Sequence, residues 1–459
     1  MFRRILIANR GEIAVRIIRT CIEMNIDTVA VYSTVDKDSL HVKLATKAVC
    51  IGPAKASQSY LNMNSILTAA LDNHCDAIHP GFGFLSENSD FARLCEENNI
   101  KFIGPKADVI DAMGNKAMAK TMMRKGSVPV VPGSDGALKD YDEAKEIADR
   151  IGYPVLLKAS AGGGGRGMRR AYSEEELKKA YDEAKAEARA CFGNDEMYIE
   201  KLIVNPRHIE FQILADEMGN VVHLGERDCS IQRKNQKLIE ESPCMLLSDE
   251  LRDKMGAAAV NAAKASGYTN AGTVEFVLDG DNNFYFIEMN TRIQVEHGVT
   301  EMVTGIDLIK EQIRIAFHEP LGFEQEDIKL KGHAMECRIN AEDPAKGFMP
   351  NSGKITFLNL PGGPGVRVDT MLYNGYETSP FYDSMMAKII VHAPTRLEMI
   401  RKMRRALMEI STEGITTTSD FEYLILFHPD FIKGKYNVGF IEEHMDEILS
   451  WDAFGEGNE

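Results

Sequence analysis

Five polar residues occupy every second position from Glu288 to Glu296: Glu288, Asn290, Arg292, Gln294 and Glu296. Between them, and just before, stand Ile287, Met289, Thr291, Ile293 and Val295. In an extended chain successive side chains point to opposite faces, so the five polar groups would share one side. Their order is acid, amide, cation, amide, acid, whereas a solvated strand face normally mixes Lys and Glu. That order suits a metal at one end and a small oxyanion in the middle. Upstream, the β-rich runs Gly272–Leu278 and Phe284–Asn290 flank Asp279-Gly280-Asp281-Asn282-Asn283, a hairpin pattern. A turn centred between Asp281 and Asn282 pairs Leu278 with Tyr285 and Glu275 with Glu288. Carboxylates facing each other across strands at roughly 5 Å repel, and a cation between them relieves this. Hard oxygen ligands with room for phosphates predict Mg2+ or Mn2+. The turn mimics a calcium loop through Asp279, Asp281 and Asn283, but Phe284 stands where that loop needs Gly and Asn290 where it needs Glu.

A second chemical signal is Lys158 followed by Ala159-Ser160-Ala161-Gly162-Gly163-Gly164-Gly165-Arg166-Gly167-Met168. Four glycines in a row weaken any regular element and bare backbone N–H groups, which can close over phosphates. No Gly-Lys-Ser/Thr follows, so this is not a Walker A loop. A flexible surface hairpin is the plain alternative. Lys158, at the end of the entering strand Pro154–Lys158, favours a mobile lid over a nucleotide.

The elements that position these groups are legible in outline. Ile5–Ala8, Thr28–Tyr32, Ala77–His79 and Lys101–Ile103 read as strands, and Glu12–Met24 as a helix. That alternation predicts a parallel sheet covered by helices. The first strand–helix turn carries Gly11 without a GxGxxG pattern and reads as a structural turn. Tyr141–Ile151 reads as a helix stopped by Gly152 and Pro154, and Ser173 to Glu176 as a capping box opening a helix to about Ala190. From about Lys331 the chain shows short β-like runs and a helix near Leu397–Ile410. The expected division is an N-terminal α/β part (1–113), a nucleotide-binding part (114–330) with a lid at about 131–203, a β-rich C-terminal part (331–446) and a polar tail (447–459). The fold class is thus mixed α/β and α+β.

Bulk properties narrow the function. A chain of 459 residues is too long for one ordinary core, and 44% hydrophobic with 27% charged residues is ordinary for a globular protein. A net charge of −16 argues against nucleic-acid binding. The eight cysteines, at 21, 50, 75, 95, 191, 229, 244 and 337, contain no CxxC pair, which fits a reducing compartment without a zinc knuckle or redox site. The first ten residues are basic, but their apolar run is too short for a secretory signal, and no stretch reads as a membrane helix. A cytosolic enzyme is expected, with no membrane partner, using ATP and a divalent metal to activate a small anion.

The run Phe286-Ile287-Glu288-Met289-Asn290-Thr291-Arg292-Ile293-Gln294-Val295-Glu296-His297 resembles the signature of biotin carboxylases within the ATP-grasp superfamily. So do Ile7 to Ala14, His79 to Asn88, Met113 to Lys116, Gly162 to Gly165, Glu226 to Gln232 and Glu336 to Glu342, and the resemblance reaches about residue 445. It implies ATP- and bicarbonate-dependent carboxylation of biotin at N1′, with carboxyphosphate decomposing to CO2 beside the biotin enolate. Glu275, Glu288 and Asn290 would hold Mg2+ or Mn2+, two ions in all. Lys116, Lys158 and the backbone of Gly164 and Gly165 would cradle ATP, while Glu200, Lys201, Leu202 and Ile203 would read adenine with His208, Gln232 and Asn235 nearby. Lys237, Arg292, Gln294 and the Val295 backbone would bind bicarbonate. Glu296 would deprotonate it, and Arg338 would stabilise the biotin enolate. Plainer alternatives are a solvated helix lysine for Lys116, a structural loop histidine for His208 and a salt-bridge residue for Arg338; His79 reads as structural.

Three positions depart from the family pattern. Asn235 stands at a usual His and cannot stack, Phe82 stands at a usual Tyr and lacks its hydroxyl, and Gly298 replaces a common Pro, which would loosen the segment end. No Ala-Met-Lys-Met motif appears, so a separate biotin carboxyl carrier protein and carboxyltransferase subunits are expected partners, with a homodimer as the assembly. The layout resembles a free-standing subunit of a bacterial-type acetyl-CoA carboxylase; some pyruvate or other acyl-CoA carboxylases share it. Another ATP-grasp ligase would have no reason to keep Lys237, Arg292, Glu296 and Arg338 together. A non-catalytic nucleotide-binding subunit would be expected to lose Glu288, Arg292 or Glu296.

Overall fold

The computed structural model describes residues 1–159, 168–192 and 196–451. The chain opens with β1 (Arg4–Ile7), α1 (Gly11–Glu23), β2 (Asp27–Ser33), β3 (Lys47–Gly52), β4 (Ala77–His79) and β5 (Lys101–Phe102). These strands form one parallel sheet in the order β3-β2-β1-β4-β5. The strand–helix alternation predicts this sheet; β3 is an addition that the alternation alone does not reveal. His79 is fully buried and accepts from the Gly81 amide at 3.1 Å, in keeping with a structural role.

The next unit is a small three-stranded sheet of β6 (Val155–Ala159), β7 (Met168–Ala171) and β8 (Met197–Lys201), with β6 central and antiparallel to both neighbours. α2 (Tyr141–Ile151) and α3 (Glu174–Phe192) pack on it around Ala144, Leu157, Leu177, Tyr181 and Ile199. α2 ends where Gly152 takes a positive φ of 76°, the left-handed stop that Gly makes inexpensive. At the start of α3, Ser173 Oγ accepts from the Glu176 amide at 3.4 Å, while Glu176 reaches back to Tyr172 at 2.8 Å, one residue earlier than a standard capping box. Gly164 and Gly165 lie outside the described residues.

The centre is an antiparallel sheet of eight strands: β9 (Arg207–Ala215), β10 (Val221–Arg233), β11 (Gln236–Ser242), β12 (Asn270–Leu278), β13 (Phe284–Asn290), β14 (His333–Asn340), β15 (Val366–Thr370) and β16 (Met385–Ala393). Their order is β13-β12-β9-β10-β11-β14-β16-β15, so one continuous sheet passes through residue 331. α4 (Asp249–Ser266) covers β9 and β10, and α5 (His297–Thr304) and α6 (Arg396–Glu409) pack farther along it. Among the described residues no helix is long and apolar enough to cross a membrane, and seven cysteines are free.

The β12–β13 hairpin differs from the expected turn. Leu278 pairs with Phe284 and Val277 with Tyr285, not Leu278 with Tyr285; a bulge between Glu275 and Phe276 then restores the Glu275–Glu288 pair. The cause is Asp279. Its Oδ1 accepts from the amides of Asp281 (2.9 Å) and Asn283 (2.8 Å), which closes a longer loop than a two-residue turn. The extended run also stops sooner than the alternation implies. β13 ends at Asn290, and residues 291–296 form turns before α5 begins. Gly298 does not loosen that end. A Cβ there would meet Ile390 Cδ1 at 2.3 Å, so its absence lets α5 seat closely on β16. Asp279→Ala removes both loop acceptors. It should lower the unfolding free energy by about 1 kcal/mol, read as a lower urea midpoint at unchanged slope.

Candidate active site

The long sheet brings together groups that lie far apart in sequence. Lys237 on β11 is largely buried, and its Nζ donates to Glu210 Oε2 on β9 (2.6 Å), Glu296 Oε1 (2.5 Å) and Glu275 Oε1 on β12 (3.2 Å). Glu275 Oε1 also accepts from Asn290 Nδ2 (2.8 Å) and Gln294 Nε2 (3.1 Å), while His208 Nε2 lies 3.1 Å from Glu275 Oε2. Arg292 donates to Asn290 Oδ1 (3.1 Å), Gln294 Oε1 (2.8 Å) and Glu87 Oε2 (2.8 Å). Arg338 on β14 donates to Glu296 Oε2 at 2.9 Å and lies 2.5 Å from Glu240 Oε1 on β11. Although the chain turns after Asn290, the polar groups still converge, because Arg292 and Gln294 bond to neighbours two residues away.

Burial would push these carboxyls up, and the cations decide which way each one goes. Burial raises Glu296, but Lys237, Arg338 and Arg227 together hold it well below the usual carboxylate range. Glu275 likewise is held low by Lys237 and His208 against its burial. Lys237 is raised despite its own burial by Glu210, Glu275 and Glu296, so it stays charged. Glu288 is raised, first by burial and then by the charge of Glu275. This like-charged pair has Lys116 Nζ only at 3.9 Å, from a largely exposed side chain. Glu275 already has Lys237 and His208, whereas Glu288 has this distant lysine, and a carboxylate so placed beside Glu275 fits a hard divalent cation, with Asn290 as an amide neighbour. His208, Glu210 and Glu275 also lie close enough to share an ion. Lys237 and Arg227 already neutralise that group.

The expected nucleotide residues are less gathered. Lys158 and Lys120 both pair with Glu200, Lys120 at 2.9 Å, and these cations hold the Glu200 carboxyl low against its burial. The Lys201 amide donates to Pro132 O (2.8 Å) and its Nζ to Tyr153 O (2.8 Å); the Leu202 amide donates to Pro154 O (3.0 Å). Ile203 follows, partly buried. His208 sits on β9 rather than in a loop, and Gln232 pairs in register with Lys237. Asn235 lies in the tight β10–β11 turn at φ 66°, after Lys234 at φ 48°. Asn tolerates that left-handed backbone well, a local reason for its presence where imidazole is usual.

Five partners of these groups, four buried and one exposed, are given no site role by the sequence reading. Glu210 binds Lys237 and also Arg227 Nε (2.5 Å); Arg227 further reaches Gln212, Thr273 and Thr300. Glu240 backs Arg338. Lys388 Nζ donates to the Val295 carbonyl at 2.6 Å. Glu87, within the His79–Asn88 motif, holds both Arg292 and the Thr291 amide (3.2 Å).

A cluster of cations and carboxylates on the long sheet, with Lys158 and Glu200 on a separate small sheet, is consistent with an ATP-grasp type of enzyme. Residues 1–110 match the family description "Biotin carboxylase, N-terminal domain", residues 115–323 "Carbamoyl-phosphate synthase L chain, ATP binding domain", and residues 336–443 "Biotin carboxylase C-terminal domain". Biotin carboxylase 1 of Bacillus subtilis is 56% identical over 445 residues, 97% of this chain and 99% of that protein. The crystal structure of the Hydrogenobacter thermophilus 2-oxoglutarate carboxylase biotin carboxylase domain dimer, in complex with MgADP, ADP and bicarbonate, is similar at a TM-score of 0.90 and 53% identity, covering 98% of this chain and 99% of that one. A crystal structure of the biotin carboxylase subunit of pyruvate carboxylase is similar at a TM-score of 0.89 and 53% identity, covering 98% of this chain and 100% of that one. The chain belongs to the biotin carboxylase family, and its activity is that of an ATP-dependent carboxylase.

Glu240 offers a test of the electrostatics. Burial raises its carboxyl to about 7, against the pull of Arg338. A carboxyl whose folded value exceeds its unfolded one stabilises fully below the unfolded value, and that contribution disappears as pH rises through the folded value. Between pH 5 and 8 the wild-type protein should therefore lose stability from this group. Glu240→Gln should show a flatter dependence, measured as denaturant midpoints across that range.

Proposed function

We propose that the chain catalyses the first half-reaction of a biotin-dependent carboxylase. ATP and bicarbonate carboxylate N1′ of biotin held on a separate carrier protein, and the products are carboxybiotin, ADP and phosphate. The observation that carries this reading is the convergence of Lys237, Arg292, Gln294, Glu296 and Arg338 beside the Glu275–Glu288 pair.

Lys237, Arg292, Gln294 and the Val295 backbone bind bicarbonate, with the forked donors of Arg292 suited to a planar anion. The buried cations exchange one anionic partner for another, which limits the desolvation cost. As Lys237 turns towards bicarbonate, one of the charges holding the Glu296 carboxyl low is diverted. Glu296 then becomes a stronger base and can accept the bicarbonate proton. Transfer of the ATP γ-phosphoryl group gives carboxyphosphate, which breaks into CO2 and phosphate. Arg338 stabilises the oxyanion of the biotin enolate that attacks CO2. Glu275, Glu288 and Asn290 hold Mg2+ or Mn2+, two ions in all, which neutralise phosphate charge when bound. Lys116, Lys158 and the Gly164–Gly165 backbone bind the phosphates under a lid at about 131–203. Glu200 to Ile203, with His208, Gln232 and Asn235, line the nucleoside.

The assignment extends to acetyl-CoA carboxylase, where the second half-reaction yields malonyl-CoA for fatty-acid synthesis, with a carrier protein and carboxyltransferase as partners. Similarity to the biotin carboxylase parts of a pyruvate carboxylase and of a 2-oxoglutarate carboxylase supports a second reading, in which the acceptor is a 2-oxo acid. The dimeric state of the 2-oxoglutarate carboxylase structure supports a homodimer, and the free cysteines support a cytoplasmic location.

Purified protein should release ADP only with bicarbonate present, and free biotin should stimulate the release; no effect of either would refute the assignment. Arg338→Ala should keep ATP affinity within about twofold while biotin-dependent turnover falls by roughly a hundredfold. Loss of ATP binding instead would contradict this division of roles.

A further inference from the structure

The turn that carries Gln294 and Glu296 has no regular structure to hold it. It follows the edge strand β13 and has left the strand ladder by residue 291. Two of its carbonyls are held by buried side chains. His297 Nδ1 donates to Gln294 O at 2.8 Å, and Lys388 Nζ donates to Val295 O at 2.6 Å.

Lys388 is fully buried on β16. Three carboxylates surround its ammonium: Glu12 Oε1 on α1 at 3.4 Å, Glu336 Oε2 on β14 at 4.0 Å and Asp369 Oδ2 on β15 at 4.0 Å. The Val295 carbonyl, a neutral group, is nearer than any of them. Asp369 is drawn away by Arg367 at 2.6 Å, and Arg367 also holds Glu301 at 2.6 Å. An ammonium that served only to neutralise core carboxylates would be expected to sit closest to one of them. This one donates its short bond to the backbone between the two working side chains. It also joins three stretches of the chain at that point: Glu12 near the start, Val295 in the middle, and Glu336, Asp369 and Lys388 near the end.

We infer that Lys388 is a positioning residue for the anion site: by fixing the Val295 carbonyl it sets the directions in which Gln294 and Glu296 meet bicarbonate. The inference rests on the bicarbonate reading above. Lys388 acts through the Val295 carbonyl rather than by binding substrate or nucleotide itself. Its removal should weaken bicarbonate use selectively, since displacing a reacting group by about 1 Å can cost two orders of magnitude.

The test compares wild type, Lys388→Met, Lys388→Arg and Glu12→Gln by bicarbonate-dependent ADP release, with KM for bicarbonate and ATP measured separately. Lys388→Met should raise the bicarbonate KM about tenfold or more, with the ATP KM within about twofold. Lys388→Arg keeps a cation among the three carboxylates and so keeps the fold where Lys388→Met does not accumulate. It moves the donor off Val295, and its bicarbonate KM should rise as well. Glu12→Gln leaves the Lys388–Val295 bond in place and should keep the bicarbonate KM within about twofold. A folded Lys388 variant with the wild-type bicarbonate KM overturns the positioning role alone, as does one whose kcat falls with both KM values unchanged. A wild-type protein with no bicarbonate dependence overturns the functional reading, and this inference with it.

Discussion

One buried ammonium organises the candidate site. Lys237 is shared by Glu210, Glu275 and Glu296, three buried carboxylates whose desolvation is costly unless cations stand beside them. Alternation of charge continues from there. Arg227 lies behind Glu210, Arg338 behind Glu296, and Glu240 behind Arg338. Because each charge is another's partner, removing one strands its neighbours. The large sheet acts as the ruler for this arrangement: Glu210, Arg227, Lys237, Glu275 and Arg338 come from five of its eight strands. Strand spacing near 5 Å places successive partners within ion-pair reach.

Under the proposed function, the same network would let the weakly basic Glu296 serve as a base. Glu296 at rest is held low by three cations and is a poor proton acceptor. An anion that takes over part of Lys237 and Arg292 relieves that hold only where it is needed, next to itself. Selectivity then comes from exchange among charges already buried, and the site avoids the desolvation cost of creating new ones. Glu288 stands outside this balance. Its carboxyl is raised by burial and by Glu275, and the cation it faces is Lys116 at 3.9 Å, on a largely exposed side chain.

The sequence shows elements with strong local rules and hides those made by long-range pairing. Tyr141–Ile151 is legible to the residue because Asp140 caps it and Gly152 stops it. The parallel sheet follows from strand–helix alternation. The Glu275–Glu288 pair is legible from two alternating runs, yet the detail between them is not, because the Asp279 side chain selects a longer loop and a bulge corrects the register. Glu210, Arg227, Glu240 and Lys388 lie in strands covered on both faces. Without a solvent face there is no polar–apolar alternation to mark them, and their partners are 15 or more residues away. Asn235 reads as a lost contact when only its side-chain chemistry is considered; the positive φ of its turn supplies a backbone reason for it.

The position of the turn that carries Arg292, Gln294 and Glu296 has a structural consequence for the whole chain. β13 is the edge strand, steadied on its open side by the Phe286 amide bond to Pro129 O at 2.7 Å. Beyond Asn290 no ladder remains, and the backbone must find hydrogen-bond partners elsewhere. It finds Glu87, in the turn that follows β4, as acceptor for the Thr291 amide, and as donors His297 for the Gln294 carbonyl and Lys388 from β16 for the Val295 carbonyl. A turn held only by its own neighbours would be free to follow local fluctuations. One held from three separate stretches of the chain has its geometry only when all three are assembled. The irregular segment that bears Arg292, Gln294 and Glu296 is therefore among the most constrained parts of the molecule, and its order depends on side chains placed hundreds of residues apart by the N-terminal sheet and the long central one.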